Sequence, residues 1–216
     1  RISKIATAGK NTVAIRIPEH KVARKLLNVT NVPLAAPSAN ISSKLSPTSA
    51  KDVVDEFGKK IKFILDGGQC KIGVESTIVD LTSTPTILRP GSITKEKIQK
   101  VLNTKVNVKK NTKKIKAPGQ MTTHYFPGIP VIMNKKYSLK KQALIGFGKN
   151  FVERKNCFNL SKTGNLNEVA KNLYKTMRII KKKKFKSIAV CKIPDVGIGQ
   201  AINDRLKKAS NKWMKR

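Results

Sequence analysis

Residues 66–91 read DGGQCKIGVESTIVDLTSTPTILRPG, and this stretch narrows the fold more than any other part of the chain. Glycines stand at 67, 68, 73 and 91, where the backbone can take conformations closed to other residues and let a ligand approach closely. Residues 77–81 and 86–88 are β-prone, and Pro85 marks the turn between them. The pattern predicts a loop, a strand, a turn and a second strand, with Arg89-Pro90-Gly91 leaving the sheet. Ser76 and Thr77 at one strand mouth and Arg89 at the next are then placed to face one small anionic ligand. A glycine-rich hairpin carrying a surface arginine has the same spacing, and the residues alone leave both readings open.

Upstream, residues 12–17 (TVAIRI) predict a strand, and Pro18 and Glu19 open a helix with Val22, Ala23, Leu26 and Leu27 on one face. Residues 34–40 (LAAPSAN) predict a short buried strand emptying into a polar loop. Ser38 and Asn40 lie two apart, so in extended backbone they share a face. A hydroxyl beside an amide can hold a phosphate or carboxylate without adding charge; a plain turn-forming pair is the alternative. Residues 46–50 introduce a helix bearing Val53, Val54 and Phe57, with Gly58 as its C-cap. Residues 61–65 predict a strand feeding the glycine-rich stretch. Thr94 is placed to N-cap a helix with Ile98, Val101 and Leu102 inward.

Residues 103–116 carry Lys105, Lys109, Lys110, Lys113, Lys114 and Lys116 and little that can pack, so they read as a linker. The next segment, 117–130, holds Pro118, Pro127, Pro130, Gly119 and Gly128, a specified loop rather than a loose tether. His124 and Tyr125 at its centre either cover a ligand or pin the loop to a domain face. A second α/β unit follows: strands over 143–148, 157–160 and 187–191, a loop over 194–199 and a helix over 201–210. Between the strands, Asn165 or Asn167 caps a helix with Leu166, Val169, Ala170, Leu173, Tyr174, Met177 and Ile180 as an apolar stripe. Its outer face reads as basic, through Lys171, Lys175 and Arg178. Lys181–Lys184 reads as an RNA contact or as a solvated helix end that suits the dipole. This order suggests parallel strands with covering helices. Residues 197–201 (GIGQA) lack the glycine spacing of a dinucleotide site.

Two small domains, or one large one, fit within 216 residues. The formal charge of +34 comes from 46 Lys plus Arg against 12 Asp plus Glu. Residues 1–100 carry net +9 and residues 101–216 net +25. Such a field attracts RNA, DNA or other polyanions in a salt-dependent way; a compositional bias toward Lys and Asn produces the same excess. Cys70, Cys157 and Cys191 are odd in number and widely spaced, which excludes a disulfide scaffold or a CxxC site. His20 and His124 add few ligands for zinc. No run approaches a membrane span and no signal peptide is evident, so the expected location is cytoplasmic with no membrane partner. The chain opens on Arg1 and soon reads as a strand, as if entered in mid-domain.

The motifs carry a family likeness. Ala36-Pro37-Ser38-Ala39-Asn40 with Ser46-Pro47-Thr48, Asp66-Gly67-Gly68, the run from Gly73 to Asp80 (GVESTIVD) and Leu88-Arg89-Pro90-Gly91 resemble the YrdC/Sua5 family. Pro118-Gly119-Gln120 with His124-Tyr125-Phe126-Pro127 resembles the inter-domain loop of its longer, Sua5 form, and residues 198–206 (IGQAINDRL) resemble the end of its C-terminal domain. The resemblance implies an α/β fold: an open, twisted YrdC-like sheet, N-terminally truncated, then a small Rossmann-like domain. The expected divisions are 1–102 for the catalytic part, 103–130 for the linker and cleft-covering loop, and 131–216 for the C-terminal domain. The implied activity is that of an L-threonylcarbamoyladenylate synthase, a nucleotidyltransferase joining L-threonine, bicarbonate and ATP, with Mg²⁺ accompanying the ATP, and releasing pyrophosphate. Partner proteins would then transfer the threonylcarbamoyl group to tRNA.

By resemblance, Ser38 and Asn40 form the pair that contacts nucleotide phosphate, and Arg89 is the arginine beside the adenylate. Ser76, Thr77 and Thr7 lie on the threonine or carbamate side. His124 and Tyr125 match the segment closing over the cleft, with the tyrosine as the gating contact, and Phe126 stands where alanine is common. No nucleophilic residue is implied, since charge develops on small oxyanions and positioned donors and cations suffice. The family's threonine-rich opening loop and Lys-x-Arg motif are not found upstream of Ser38, so the chain alone is expected to fold poorly or lack synthase activity. Two other readings remain: a non-catalytic tRNA or double-stranded RNA-binding protein, and a hydrogenase-maturation-type carbamoyl-transfer domain, against which the 118–127 loop and the following unit argue.

Overall fold

The computed structural model describes residues 2–7, 9–109 and 117–211, and among these the chain forms two sheets flanked by five α-helices. Lys110, Lys113, Lys114 and Lys116 of the expected linker, and Ala8 of the opening turn, lie outside the described residues.

The glycine-rich stretch folds as its composition requires. β1 (Ile78–Asp80) and β2 (Thr86–Arg89) pair antiparallel with a register shift between Ile78 and Val79. Asp80 shapes the turn by accepting from the Thr82 amide at 3.0 Å and its hydroxyl at 2.6 Å. β3 (Asn107–Val108) adds in parallel to β2 from within the segment read as linker.

The same part of the chain carries three helices: α1 (Lys21–Thr30), α2 (Ala50–Phe57) and α3 (Lys95–Leu102). Ser49 caps α2 by accepting from the Asp52 amide at 3.2 Å, and Asp52 in turn accepts from Thr48 N at 2.8 Å. Thr94 caps α3 as expected. None of the three helices has a buried residue. Val101, expected inward, is 84% exposed.

The second sheet is parallel throughout, in the order β4-β7-β5-β6. β4 is Val131–Ile132, β5 Gln142–Gly146, β6 Cys157–Asn159 and β7 Ser187–Val190. Every residue of β5 is buried, the mark of a strand covered on both faces. Its polar member, Gln142, is satisfied by donating to Ser187 Oγ at 2.9 Å and accepting from Leu139 N at 3.1 Å. α4 (Leu166–Lys182), capped by Asn165, lays Val169, Ala170, Leu173, Tyr174, Met177 and Ile180 inward as its spacing predicts. α5 (Gly199–Ser210) closes the unit. A Cβ at Gly199 would stand 2.0 Å from Pro194 O, so this glycine permits close backbone packing.

Three expected strands differ from the structure: 12–17, 34–37 and 61–65 run without strand pairing. Ile17 is 88% and Phe63 90% exposed. β-propensity creates a strand only where a neighbour supplies the ladder, and no described segment does so for these three. The core is correspondingly one-sided. Leu45, Ile87 and Val106 are the buried hydrophobic side chains among the described residues up to 109, whereas the main cluster belongs mostly to 129–209.

Leu173→Ala should therefore destabilise by about 2–5 kcal/mol, while Ile17→Ala should stay within about 0.5 kcal/mol of the parent. Urea unfolding of the three proteins, with separate fits if two transitions appear, checks the contrast.

Candidate functional site

The mouth of the first hairpin meets the helices of the second unit at a seam of charge. On one side stands the hairpin mouth, with Glu75, Ser76 and Thr77 before β1 and Arg89 at the end of β2. A Cβ at Gly91 would stand 2.3 Å from Thr77 N, so the two limbs touch through backbone. Arg89 Nε donates to Ser76 O at 3.0 Å, and its Nη1 to Pro118 O at 3.4 Å. The Thr77 hydroxyl donates to Ile93 O at 2.6 Å. Ser76 itself is exposed.

α5 supplies the opposite side. Arg205, whose side chain is 0% exposed, donates from Nε to Glu75 Oε2 at 2.7 Å, from Nη1 to Asp204 Oδ2 at 2.7 Å and from Nη2 to Pro90 O at 2.9 Å. Tyr174 of α4 donates its hydroxyl to the same Glu75 carboxylate at 3.3 Å. Lys208, one turn on from Asp204, pairs with it at 2.7 Å and donates to Gly119 O at 2.7 Å.

The 117–130 loop is held in this seam. Gln120 Nε2 donates to Leu88 O at 3.1 Å, His124 N to Lys208 O at 3.3 Å and Phe126 N to Ser43 O at 2.9 Å. Tyr125 is 1% exposed, stacks on Tyr174 at 5.9 Å and lies 5.2 Å beneath the Arg205 guanidinium. Its backbone sits at φ +60, a left-handed conformation costly for a bulky residue. The His124 ring accepts at Nδ1 from Tyr125 N at 2.9 Å, which leaves Nε2 as the protonated nitrogen.

Burial sets the protonation states. It pushes the Tyr125 hydroxyl up to about 12, Arg205 opposing and Glu75 assisting, and Tyr174 well above the ordinary tyrosine value. It pulls His124 down, with the Lys208, Arg205 and Arg89 charges adding to it against Glu75, so the ring is neutral at pH 7. Arg89 is lowered by burial and by Arg205. Burial alone would raise the Glu75 carboxyl, but the Arg205 charge and hydrogen bonds from Ser46 and Arg205 together outweigh it and hold it below the glutamate range. Three cations, Arg89, Arg205 and Lys208, thus face two carboxylates, Glu75 and Asp204, a balance that draws anions.

Of the residues singled out in the sequence, Ser76, Thr77, Arg89, His124 and Tyr125 share this seam. Asn40 adjoins it: its Nδ2 donates to Lys44 O at 3.3 Å, Lys44 bridges to Phe126, and its buried Oδ1 has no hydrogen-bond partner. Ser38 lies exposed in the same loop. Thr7 sits in the opening turn, its hydroxyl donating to Lys4 O at 3.1 Å. Glu75, Tyr174, Asp204, Arg205 and Lys208 are not among the site residues read from the sequence, where Tyr174 counts only in the apolar stripe of its helix. Arg205 was detectable, since it falls one turn after Ala201 and one before Ala209 on the buried face of α5.

A second contact reinforces the seam. Arg178 of α4, expected on the solvent face, is only 19% exposed and reaches Leu45 O at 2.7 Å, Glu56 at 3.3 Å and Asp52 at 3.8 Å. Lys182 meets Asp55 at 2.7 Å. The acids of α2 draw Arg178 inward, whereas Lys182 stays largely exposed, as do Lys171 and Lys175.

Glu75→Gln leaves the buried Arg205 without one of its two carboxylate partners, and should cost about 3–5 kcal/mol. The Glu75 value is depressed in the folded state, so its contribution is full above the ordinary glutamate pKa and is lost as pH falls through the lower folded one. Unfolding of parent and variant should differ at pH 7 and converge in acid; a gap that stays constant with pH would contradict the assignment.

Residues 1–91 match the family described as Telomere recombination, which groups Sua5, YciO and YrdC, and residues 93–211 match the Threonylcarbamoyl-AMP synthase C-terminal domain. The threonylcarbamoyl-AMP synthase of Pyrococcus abyssi is 37% identical, over 97% of this chain and 67% of the relative. That of Bacillus subtilis is 36% identical, over 97% and 66%. The chain thus spans about two thirds of the length of these relatives. The crystal structure of P. abyssi Sua5 complexed with L-threonine superposes with a TM-score of 0.86 at 35% identity, covering 97% of this chain and 67% of that one. A P. abyssi Sua5 with an adjacent histidine and tyrosine changed to alanine gives 0.84 at 33% identity, covering 97% and 66%. With a C-terminal domain match over more than half its residues and these identities along nearly its whole length, the chain belongs to the Sua5 family of threonylcarbamoyl-AMP synthases.

Proposed function

We propose that this chain carries the hairpin and C-terminal parts of an L-threonylcarbamoyladenylate synthase, which makes threonylcarbamoyl-AMP and pyrophosphate from L-threonine, bicarbonate and ATP. The observation that carries this reading is the joined Ser76–Arg89 mouth in a cationic seam, in a chain whose relative was crystallised with L-threonine. Threonine's amine adds to the bicarbonate carbon with loss of water, and the carbamate oxygen then attacks the α-phosphorus of ATP, expelling pyrophosphate. Both steps concentrate negative charge on small oxyanions, so fixed donors and cations lower the barriers.

In this reading Ser76 donates to the carboxylate or carbamate end of threonine. Thr77, committed to Ile93 O, fixes that strand mouth, and Thr7 belongs to the same substrate side. Arg89 keeps N–H groups beyond the two that anchor it and stands beside the adenylate. Ser38 and Asn40 meet phosphate, the serine through its hydroxyl and the asparagine through its Nδ2 donor. The His124–Tyr125 pair covers the cleft, with Tyr125 as the buried anchor and the His124 Nε2–H as the remaining ring donor. Among the described residues no group of three His, Cys, Asp or Glu is placed to hold a metal, and Mg²⁺ belongs to the ATP substrate, carried by phosphate oxygens and water.

Activity requires, in addition, the further third of length that the relatives possess, whether joined to this chain or supplied separately. Its product passes to proteins that transfer the threonylcarbamoyl group to tRNA, and the setting is cytoplasmic. Among the described residues no helix is long and apolar enough to cross a membrane.

The test measures threonine-dependent formation of threonylcarbamoyl-AMP from ATP and labelled bicarbonate. The 216 residues alone should be inactive, and addition of the N-terminal segment of a relative, in cis or in trans, should restore turnover. Ser76→Ala or Arg89→Gln in that active form should lower kcat/KM about 10²-fold, as loss of one oxyanion donor does. No product with the segment present, or full activity without Arg89, would overturn the reading. Tight tRNA binding that persists in both variants, without product, would favour an RNA-binding role.

A further inference from the structure

We infer that Arg205, on the last helix of the C-terminal domain, is a positioning residue for the threonine and adenylate site. The inference rests on the synthase reading above. Two short backbone limbs make the mouth of the site, one ending in Glu75 and continuing into Ser76, the other running from Arg89 into Pro90. One guanidinium spans both: Arg205 grips the Glu75 carboxylate at 2.7 Å and its backbone carbonyl at 3.4 Å, and the Pro90 carbonyl at 2.9 Å. The residues after and before those grips are the substrate-facing Ser76 and Arg89.

The fork is itself fixed. Asp204 holds Nη1 at 2.7 Å, the Tyr125 ring lies 5.2 Å beneath, and Tyr174 holds Glu75 from the other side at 3.3 Å. A planar group held by four hydrogen bonds with an aromatic ring under one face imposes one separation on the two limbs, which a flexible lysine cannot do. The same guanidinium touches Tyr125 in the 117–130 loop. Arg205 therefore sets the spacing of Ser76 and Arg89 and the seat of the covering loop together, so the C-terminal domain contributes to substrate geometry and not merely to shelter.

A simple domain clamp would stabilise the protein and leave substrate recognition alone. Arg178 provides the comparison, because it bridges the same two parts but its bonds go to Leu45, Glu56 and Asp52 and not to the limbs that carry Ser76 and Arg89. The experiment uses the synthase in its active form and reads KM for L-threonine, kcat and thermal midpoint for Arg205→Lys, Arg205→Gln and Arg178→Gln. Arg205→Gln should raise the threonine KM and lower kcat/KM at least about tenfold, Arg205→Lys should recover part of it, and Arg178→Gln should lower the midpoint while leaving KM within about twofold. Where Arg205→Gln does not fold, the double change Glu75→Gln with Arg205→Gln, which leaves no charge unpaired between those two, is read in the same way. Equal effects of the Arg205 and Arg178 changes on KM, or unchanged KM in every Arg205 variant, would overturn the inference. A parent protein that neither binds threonine nor turns over would instead overturn the synthase reading.

Discussion

The pairing of Arg205 with Glu75 is the contact on which the rest of this architecture depends. Both groups lose water when the hairpin mouth meets the helices of the second unit, and a desolvated charge is tolerable only if its partners are complete. Here they are: the guanidinium has two carboxylates and two backbone carbonyls, and the glutamate gains the Tyr174 hydroxyl. The pair is expensive to assemble and more expensive to break, which confines the two halves to one relative placement. Glycine makes the approach feasible, since a Cβ at Gly73 would lie 2.5 Å from Ala170 O.

Viewed from this seam, the strong positive charge has two fates. Part is spent internally: Arg178 pairs with the acids of α2, and Lys208 bonds Asp204 and the loop carbonyl at Gly119. Part remains at the surface, as at Lys171 and Lys175. The internal part explains why an acidic helix belongs to the less basic half of the chain, and it leaves a local cationic excess beside Ser76. That excess favours an anion beside those residues.

The elements that were legible in the sequence are those whose signal is local. The α4 stripe, its cap at Asn165 (one of two candidates), the Gly58 C-cap of α2, the Thr94 cap and the β1–β2 hairpin were readable because capping and periodicity act within a few residues. The segments 12–17, 34–37 and 61–65 were misread as strands because pairing is non-local: alternating or apolar residues become a strand only against a neighbour. Arg178 was misplaced for a related reason. Charge on a helix face reads as solvent-facing until an acidic helix from elsewhere covers it.

From the chain's own residues came the hairpin mouth with Ser76 and Arg89, the loop centred on His124 and Tyr125, and the parallel second unit, because glycine, proline, capping side chains and apolar spacing dictate local backbone. The tertiary structure alone decided that Tyr125 turns inward at φ +60 beneath a guanidinium. It also brought residue 205 to bridge positions 75 and 90, more than a hundred positions earlier in the chain. Such choices follow from desolvating charge between distant segments, a quantity that depends on what surrounds each group in space and is not written in the neighbours along the chain.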